Sequence, residues 1–211
     1  PVVNELHRRI AGLRVVLECG APRELLARRF DMLFEHVPVA SDFGMVMKNA
    51  LEVDAAASHA RYLETHARIE TQVEQSRRRL VDHRATVLLT NVPYVPLIAA
   101  RGLGLPAVAM CSLNWAAIYR GLCGGMPGAE RIHDDMLEAY RSADAFIALE
   151  PSMDMPGLAN VRAVGPVAAT GDSVRDLLLA KLRLGEGARL VTVSMGGIAT
   201  ALPLDRWPRA D

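Results

Sequence analysis

Two carboxylates stand just behind short apolar runs of this 211-residue sequence. Asp42 lies in the loop Ala40-Ser41-Asp42-Phe43-Gly44, and Glu150 precedes Pro151 and Ser152. A carboxylate at the end of a buried segment can take up or release a proton for a bound molecule. Asp42 can equally cap a helix or turn that starts at Phe43, and both readings stand. Further loops of the same kind carry Gly20, then Asn91 and Tyr94 in Asn91-Val92-Pro93-Tyr94, then Asn114 and Trp115 in Ser112-Leu113-Asn114-Trp115. Asn91 and Asn114 suit helix caps as well as ligand contacts. Trp115 and Tyr119, four residues apart, would share one helix face, for core packing or for stacking on a sugar or another ring. Gly196-Gly197 follows an apolar run, and glycines there let backbone N–H groups approach a phosphate closely.

Several other chemistries are excluded or weak. Neither GxGxxG nor GxxxxGK[ST] occurs, so the dinucleotide fingerprint and the P-loop are both missing. No Ser-His-Asp set or nucleophile elbow can be assembled. His59, His66 and His83 fall in one helical stretch, but only the first two share a face, so no metal site is expected. Arg77-Arg78-Arg79 reads as a solvated helix end and His133-Asp134-Asp135 as a polar helix face. Twenty-four basic residues balance twenty-four acidic ones, so the net charge points to no polyanion-binding surface and no nucleic-acid partner is expected. No apolar stretch reaches the roughly 18 residues of a membrane span. Three cysteines without a CxxC pair suggest a reducing, cytoplasmic setting rather than a disulfide framework.

The residues singled out need elements that bring them together. Apolar runs at 13–18, 33–39, 85–90, 107–111, 145–149 and 190–194 read as strands. They lack polar alternation, which favours parallel strands covered on both faces. Between them lie helical stretches. Tyr62, Ile69, Val73 and Leu80 mark one long helix over 54–83, and Ile132, Met136 and Tyr140 mark another over 129–141. Val174, Leu177, Leu178 and Leu182 mark a third, with Asp172 or Ser173 as its cap and Gly185 as its stop. Strands alternating with helices imply an α/β fold with a doubly wound, Rossmann-like parallel sheet. In such a sheet, ligands bind beyond the carboxyl ends of the strands, where the loops named above would lie. The opening helix over 2–11 would ordinarily follow a first strand and its glycine-rich turn. That strand is missing, so the chain reads as a fragment of a longer protein.

The segment Val87-Leu88-Leu89-Thr90-Asn91-Val92-Pro93, then Gly104-Leu105-Pro106, Asn114-Trp115 and Ile118-Tyr119, resembles the glycosyltransferase-like region at the front of L-arabinokinase-type proteins. That region is related to a group of GT-B-fold glycosyltransferases. Val39 to Gly44 and the strand exit from Ser194 to Ile198 are similar to the same group. Asn91 stands where that pattern has Asp, and Ala116 follows Trp115 where an Asp is common. The resemblance implies an acceptor-side domain at 1–168 and, at 169–211, a linker helix with the first strand of a donor-side domain. It implies a nucleotide-sugar donor, a small-molecule acceptor and no obligatory metal or other cofactor. Asp42 and Glu150 would then be the catalytic carboxylates. Gly20, Asn91, Tyr94, Asn114, Trp115 and Tyr119 would bind substrate, and Gly196 and Gly197 the donor phosphates. Two alternatives remain: a non-catalytic sugar-nucleotide-binding module attached to another enzyme domain, and a sugar-nucleotide epimerase of the same fold.

Overall fold

A computed structural model describes residues 1–194, 201–202 and 206–207. The chain is α/β, and its centre is a four-stranded parallel sheet of β5 (Leu88–Thr90), β6 (Ala107–Cys111), β7 (Ala145–Leu149) and β8 (Val161–Val164), hydrogen-bonded in that order. Val108 pairs with Ala145 and Cys111 with Ala148, so β6 and β7 run together over nearly their full lengths. Small side chains let helices approach this sheet: Ala107, Ala109, Ala145 and Ala148 are all buried.

Three helices pack around the sheet. The helix α5 (Val95–Gly102) follows β5 and carries Pro96 in its first turn, where a missing N–H costs nothing. After β6 comes α6 (Trp115–Cys123), and α7 (Ala129–Arg141) leads into β7. Asn114 is the N-cap of α6: its side-chain oxygen accepts from the Ala117 N–H at 2.8 Å. The expected stripe Ile132, Met136 and Tyr140 is buried in the core with Tyr62, Tyr94, Tyr119 and Phe146. Each buried tyrosine also satisfies its hydroxyl, as a buried polar tip must. Tyr62 donates to the Gly44 carbonyl at 2.8 Å and Tyr140 to the Val92 carbonyl at 2.7 Å.

Ahead of this sheet stand the helix α1 (Val2–Arg9) and a second parallel pair, β1 (Val15–Glu18) and β2 (Phe34–Val37), joined through α2 (Arg23–Ala27). The two parallel sheets are not hydrogen-bonded to each other, and the four-stranded sheet adds its strands in one direction. The single doubly wound sheet of the sequence reading is therefore not closed as one ladder among the described residues. A short antiparallel hairpin, β3 (Met47–Asn49) and β4 (Glu52–Val53), then leads into the helices α3 (Ala55–Ala67) and α4 (Ile69–Asp82).

Five local expectations are corrected. The long helix over 54–83 is two helices that part at Arg68, whose φ of −121° leaves the helical region. Its halves have different neighbours: α3 packs on α6 and α7, whereas α4 packs on α5. The apolar run at 190–194 is not a strand, and Val191 and Val193 are exposed. A strand needs a ladder partner for its backbone, and none is present for this run among the described residues. The helix α8 (Arg175–Leu182) starts after Val174 without a side-chain cap, so neither Asp172 nor Ser173 plays that part. Asn91 does not cap α5, whose N-cap is Tyr94, and Asp42 caps no helix, because the chain from Phe43 to Val46 is irregular.

Candidate functional site

Asp42 opens into a crevice beyond the carboxyl ends of β2 and β5, with a volume of about 210 Å³. One wall is the loop from Ala40 to Phe43. The opposite wall is Tyr94 and Val95 at the start of α5, and α3 and α4 close the third side with Arg61, Tyr62, Thr65 and Gln72. That volume lies below the roughly 300–1,000 Å³ of pockets for drug-sized ligands, so the crevice suits a small polar molecule or one end of a larger one.

The loop carrying Asp42 is fixed from behind. Arg79, near the end of α4, grips Glu18 at the tip of β1 through Nε at 2.8 Å and Nη2 at 3.1 Å. Glu18 in turn accepts from the Ser41 hydroxyl. This two-point guanidinium–carboxylate contact holds both partners in a set orientation. Gly20 stands beside Ala40: a β-carbon there would lie 3.3 Å from the Ala40 methyl. Gly20 thus shapes the tips of β1 and β2 just behind the crevice wall.

Asp42 itself is half-buried, and the indole Nε1–H of Trp115 donates to its Oδ2 at 2.6 Å. Burial pushes the Asp42 carboxyl above its ordinary value, and the indole hydrogen bond pulls against that rise. The result is a carboxylate with one oxygen anchored and a proton affinity raised by its surroundings, as a general base requires. Beside it the Arg61 guanidinium lies over the Phe43 ring, 4.2 Å from the centroid, and the Phe43 and Tyr62 rings stand 4.5 Å apart.

Tyr94 connects the crevice to a second group of polar side chains. Asp135 on α7 lies 3.2 Å from Nδ1 of His66, and Nε2 of His66 lies 2.9 Å from the Tyr94 hydroxyl. With Asp135 accepting from Nδ1–H, Nε2 is left bare and accepts from the tyrosine. Burial lowers the proton affinity of His66, and the Asp135 hydrogen bond opposes that shift. Burial also raises the Tyr94 phenol, with the Asp42 charge adding to the effect.

The structure therefore brings together Asp42, Tyr94 and Trp115, with Gly20 just behind. The other expected site residues lie elsewhere. Asn114 is buried as the cap of α6, and its amide also contacts Met155 Sδ. Tyr119 is a core residue whose hydroxyl pairs with His59 Nδ1 at 2.7 Å, and burial pushes its phenol up to about 12. Trp115 and Tyr119 thus share a helix but not a site. Asn91 is exposed and lines no part of the crevice, and the same is true of Glu150 at the end of β7. Gly196 and Gly197 lie outside the described residues.

Sequence reasoning missed Arg61, Thr65 and Gln72. Arg61 and Thr65 lie four apart beside Tyr62, so helical spacing could have found that pair once Tyr62 was read as inward-facing. It also missed the pairing of His66 with Asp135, which are 69 residues apart. Among the described residues, no cluster of three or more His, Cys, Asp or Glu side chains could hold a metal ion, and no helix is long and apolar enough to cross a membrane. No protein-family model matches the chain, and no curated protein or solved structure does either.

Proposed function

We propose that the crevice binds a small hydroxyl-bearing acceptor and that Asp42 takes its proton as the acceptor attacks a nucleotide-sugar donor. On this reading the chain is the acceptor side of a GT-B-type glycosyltransferase. The observation that carries the proposal is the state of Asp42: in the loop beyond β2, open to a polar crevice, fixed through Oδ2 by Trp115, and raised in proton affinity by burial. Deprotonating an alcohol in the transition state calls for a base whose own proton affinity has been brought nearer to neutrality, and burial of a carboxylate does that. Arg61, Thr65, Gln72 and Tyr94 supply donors and acceptors that can orient hydroxyl groups around it. The resemblance of the segment from Val87 to Tyr119 to GT-B enzymes supports the same reading. On this reading the proton goes to Asp42 and not to Glu150, which does not line the crevice.

The test is to offer the full-length protein a panel of UDP- and dTDP-sugars and to measure binding, hydrolysis and transfer. Turnover that falls by about 10²–10⁴ in Asp42→Asn, with nucleotide-sugar binding retained, supports the assignment. Tight binding without turnover would make the domain a non-catalytic sugar-nucleotide module. If no nucleotide-sugar binds or reacts, the proposal fails.

A further inference from the structure

A second cavity, of about 390 Å³, lies between α6, α7 and the loop before β8, and it shares no lining residue with the Asp42 crevice. Three nitrogen-bearing side chains line it: Arg120 in the last turn of α6, His133 in the middle of α7, and Arg141 at the end of α7. Among the described residues, no carboxylate lines it. Ala117 and Gly121 on the α6 wall are small and leave the space open.

Among the described residues, neither guanidinium group pairs with a carboxylate. Arg120 makes no ion pair or side-chain hydrogen bond among the described residues. Arg141 is held in place by a neutral group, since its Nε donates to the Gly157 carbonyl at 2.8 Å. Glycine at 157 suits this close approach. Its φ is +81°, and a β-carbon there would stand 3.1 Å from Leu137 Cδ2 and 3.2 Å from Arg141 Nη2. The Nη groups of Arg141 therefore keep their donors for a guest, already oriented. His133 is nine-tenths buried; its Nδ1 lies 2.9 Å from Asp134 Oδ1, and Nε2 has no partner among the described residues. With Nδ1–H donating to Asp134, Nε2 is an acceptor, suited to a hydroxyl.

We propose that this cavity binds a small hydroxylated organic oxyanion, with Arg120 and Arg141 on the phosphate or carboxylate and His133 Nε2 on a neighbouring hydroxyl. Forked guanidinium donors match both kinds of oxyanion. The volume falls within the range of small-molecule sites and exceeds what a bare inorganic ion fills. The proposal stands apart from the reading of Asp42 and does not need it.

The experiment is an NMR titration of the protein with glucose 6-phosphate, gluconate and glucose as probes, following the Arg Nε–H signals and the amides of Gly121 and Gly157. Saturable shifts with glucose 6-phosphate, with gluconate or with both are expected, and the stronger binder tells phosphate from carboxylate. Arg120→Gln and Arg141→Gln should each weaken that binding by roughly tenfold or more. Both arginines are exposed, and an unmoved Trp115 indole signal will show that the fold and the Asp42 crevice are intact in the variants. Lack of saturation by both oxyanions at about 10 mM, equal response to uncharged glucose, or undiminished binding in the two variants would each overturn the proposal.

Discussion

Gly44 lies directly beneath the ring of Trp115: a β-carbon at Gly44 would stand 2.9 Å from both Cη2 and Cζ2 of the indole. Gly44 also has a φ of +67°, in the left-handed region that glycine adopts at no cost. Its carbonyl accepts from the buried Tyr62 hydroxyl, so the backbone cannot easily swing away. Gly44→Ala therefore faces both a strained dihedral and a clash with a ring. It should lose about 1–3 kcal/mol of stability and push Trp115 away from Asp42. Urea denaturation and tryptophan emission check this. An unchanged midpoint with an unchanged emission maximum would show that the indole was not held by Gly44.

Trp115→Phe keeps an aromatic ring but removes the donor to Asp42 Oδ2. Burial then acts on the carboxyl unopposed, and its proton affinity rises further. The folded protein already holds the Asp42 proton more tightly than the unfolded chain does. Asp42 thus takes away stability as pH rises from the ordinary carboxylate range through its raised folded value. Trp115→Phe should steepen that loss, at a cost of about 1–3 kcal/mol near neutrality, whereas Asp42→Asn should abolish the dependence. Denaturation midpoints of the three proteins between about pH 3 and pH 7 will show the ordering.

His66 gives the opposite slope. Burial lowers its proton affinity in the folded state, so the unfolded chain protonates first as the solution is acidified. Stability is lost as pH falls through the ordinary imidazole value toward the lower folded one. His66→Gln should flatten the stability profile between about pH 7 and pH 5. Asp135→Asn removes the partner that pulls the imidazole back up, so its proton affinity should fall further. Imidazole titration followed by NMR separates these outcomes, and a His66 signal that titrates identically in Asp135→Asn would break the link between the two residues.

How far the sequence foretold this arrangement depends on the range of the interaction concerned. β6 and β7 were legible because five consecutive apolar or small residues announce a strand covered on both faces. β8 was not, because Arg162 interrupts it and three of its four residues are exposed at the sheet edge. The run at 190–194 has the same apolar signature as β6, yet pattern alone cannot supply the neighbour that turns such a run into a strand. The rule that ligands gather beyond strand tips pointed to Asp42 and Tyr94, which lie in the loops after β2 and β5 and line one crevice. It also selected Asn91 and Glu150, which follow strands but lie outside the crevice. Trp115 reached Asp42 across 73 residues, and no local spacing encodes that hydrogen bond.

Tyr140 ties the two halves of the site together from below. Its hydroxyl donates to the Val92 carbonyl at 2.7 Å and accepts the Trp115 backbone N–H at 3.3 Å. Val92 is a β-branched residue at φ +70°, a conformation that costs about 1–2 kcal/mol and persists only when its surroundings enforce it. Tyr140→Phe leaves a carbonyl and an N–H without their partner around a fully buried ring. The loss should be about 1–3 kcal/mol. It should also free Val92 to relax, which moves Tyr94 two residues on and loosens the wall of the crevice. Hydrogen exchange at the Trp115 amide and the Tyr94 ring signals report the two effects separately. Faster exchange with unmoved Tyr94 signals would mean that Val92 is held by its side-chain packing and not by the Tyr140 hydroxyl.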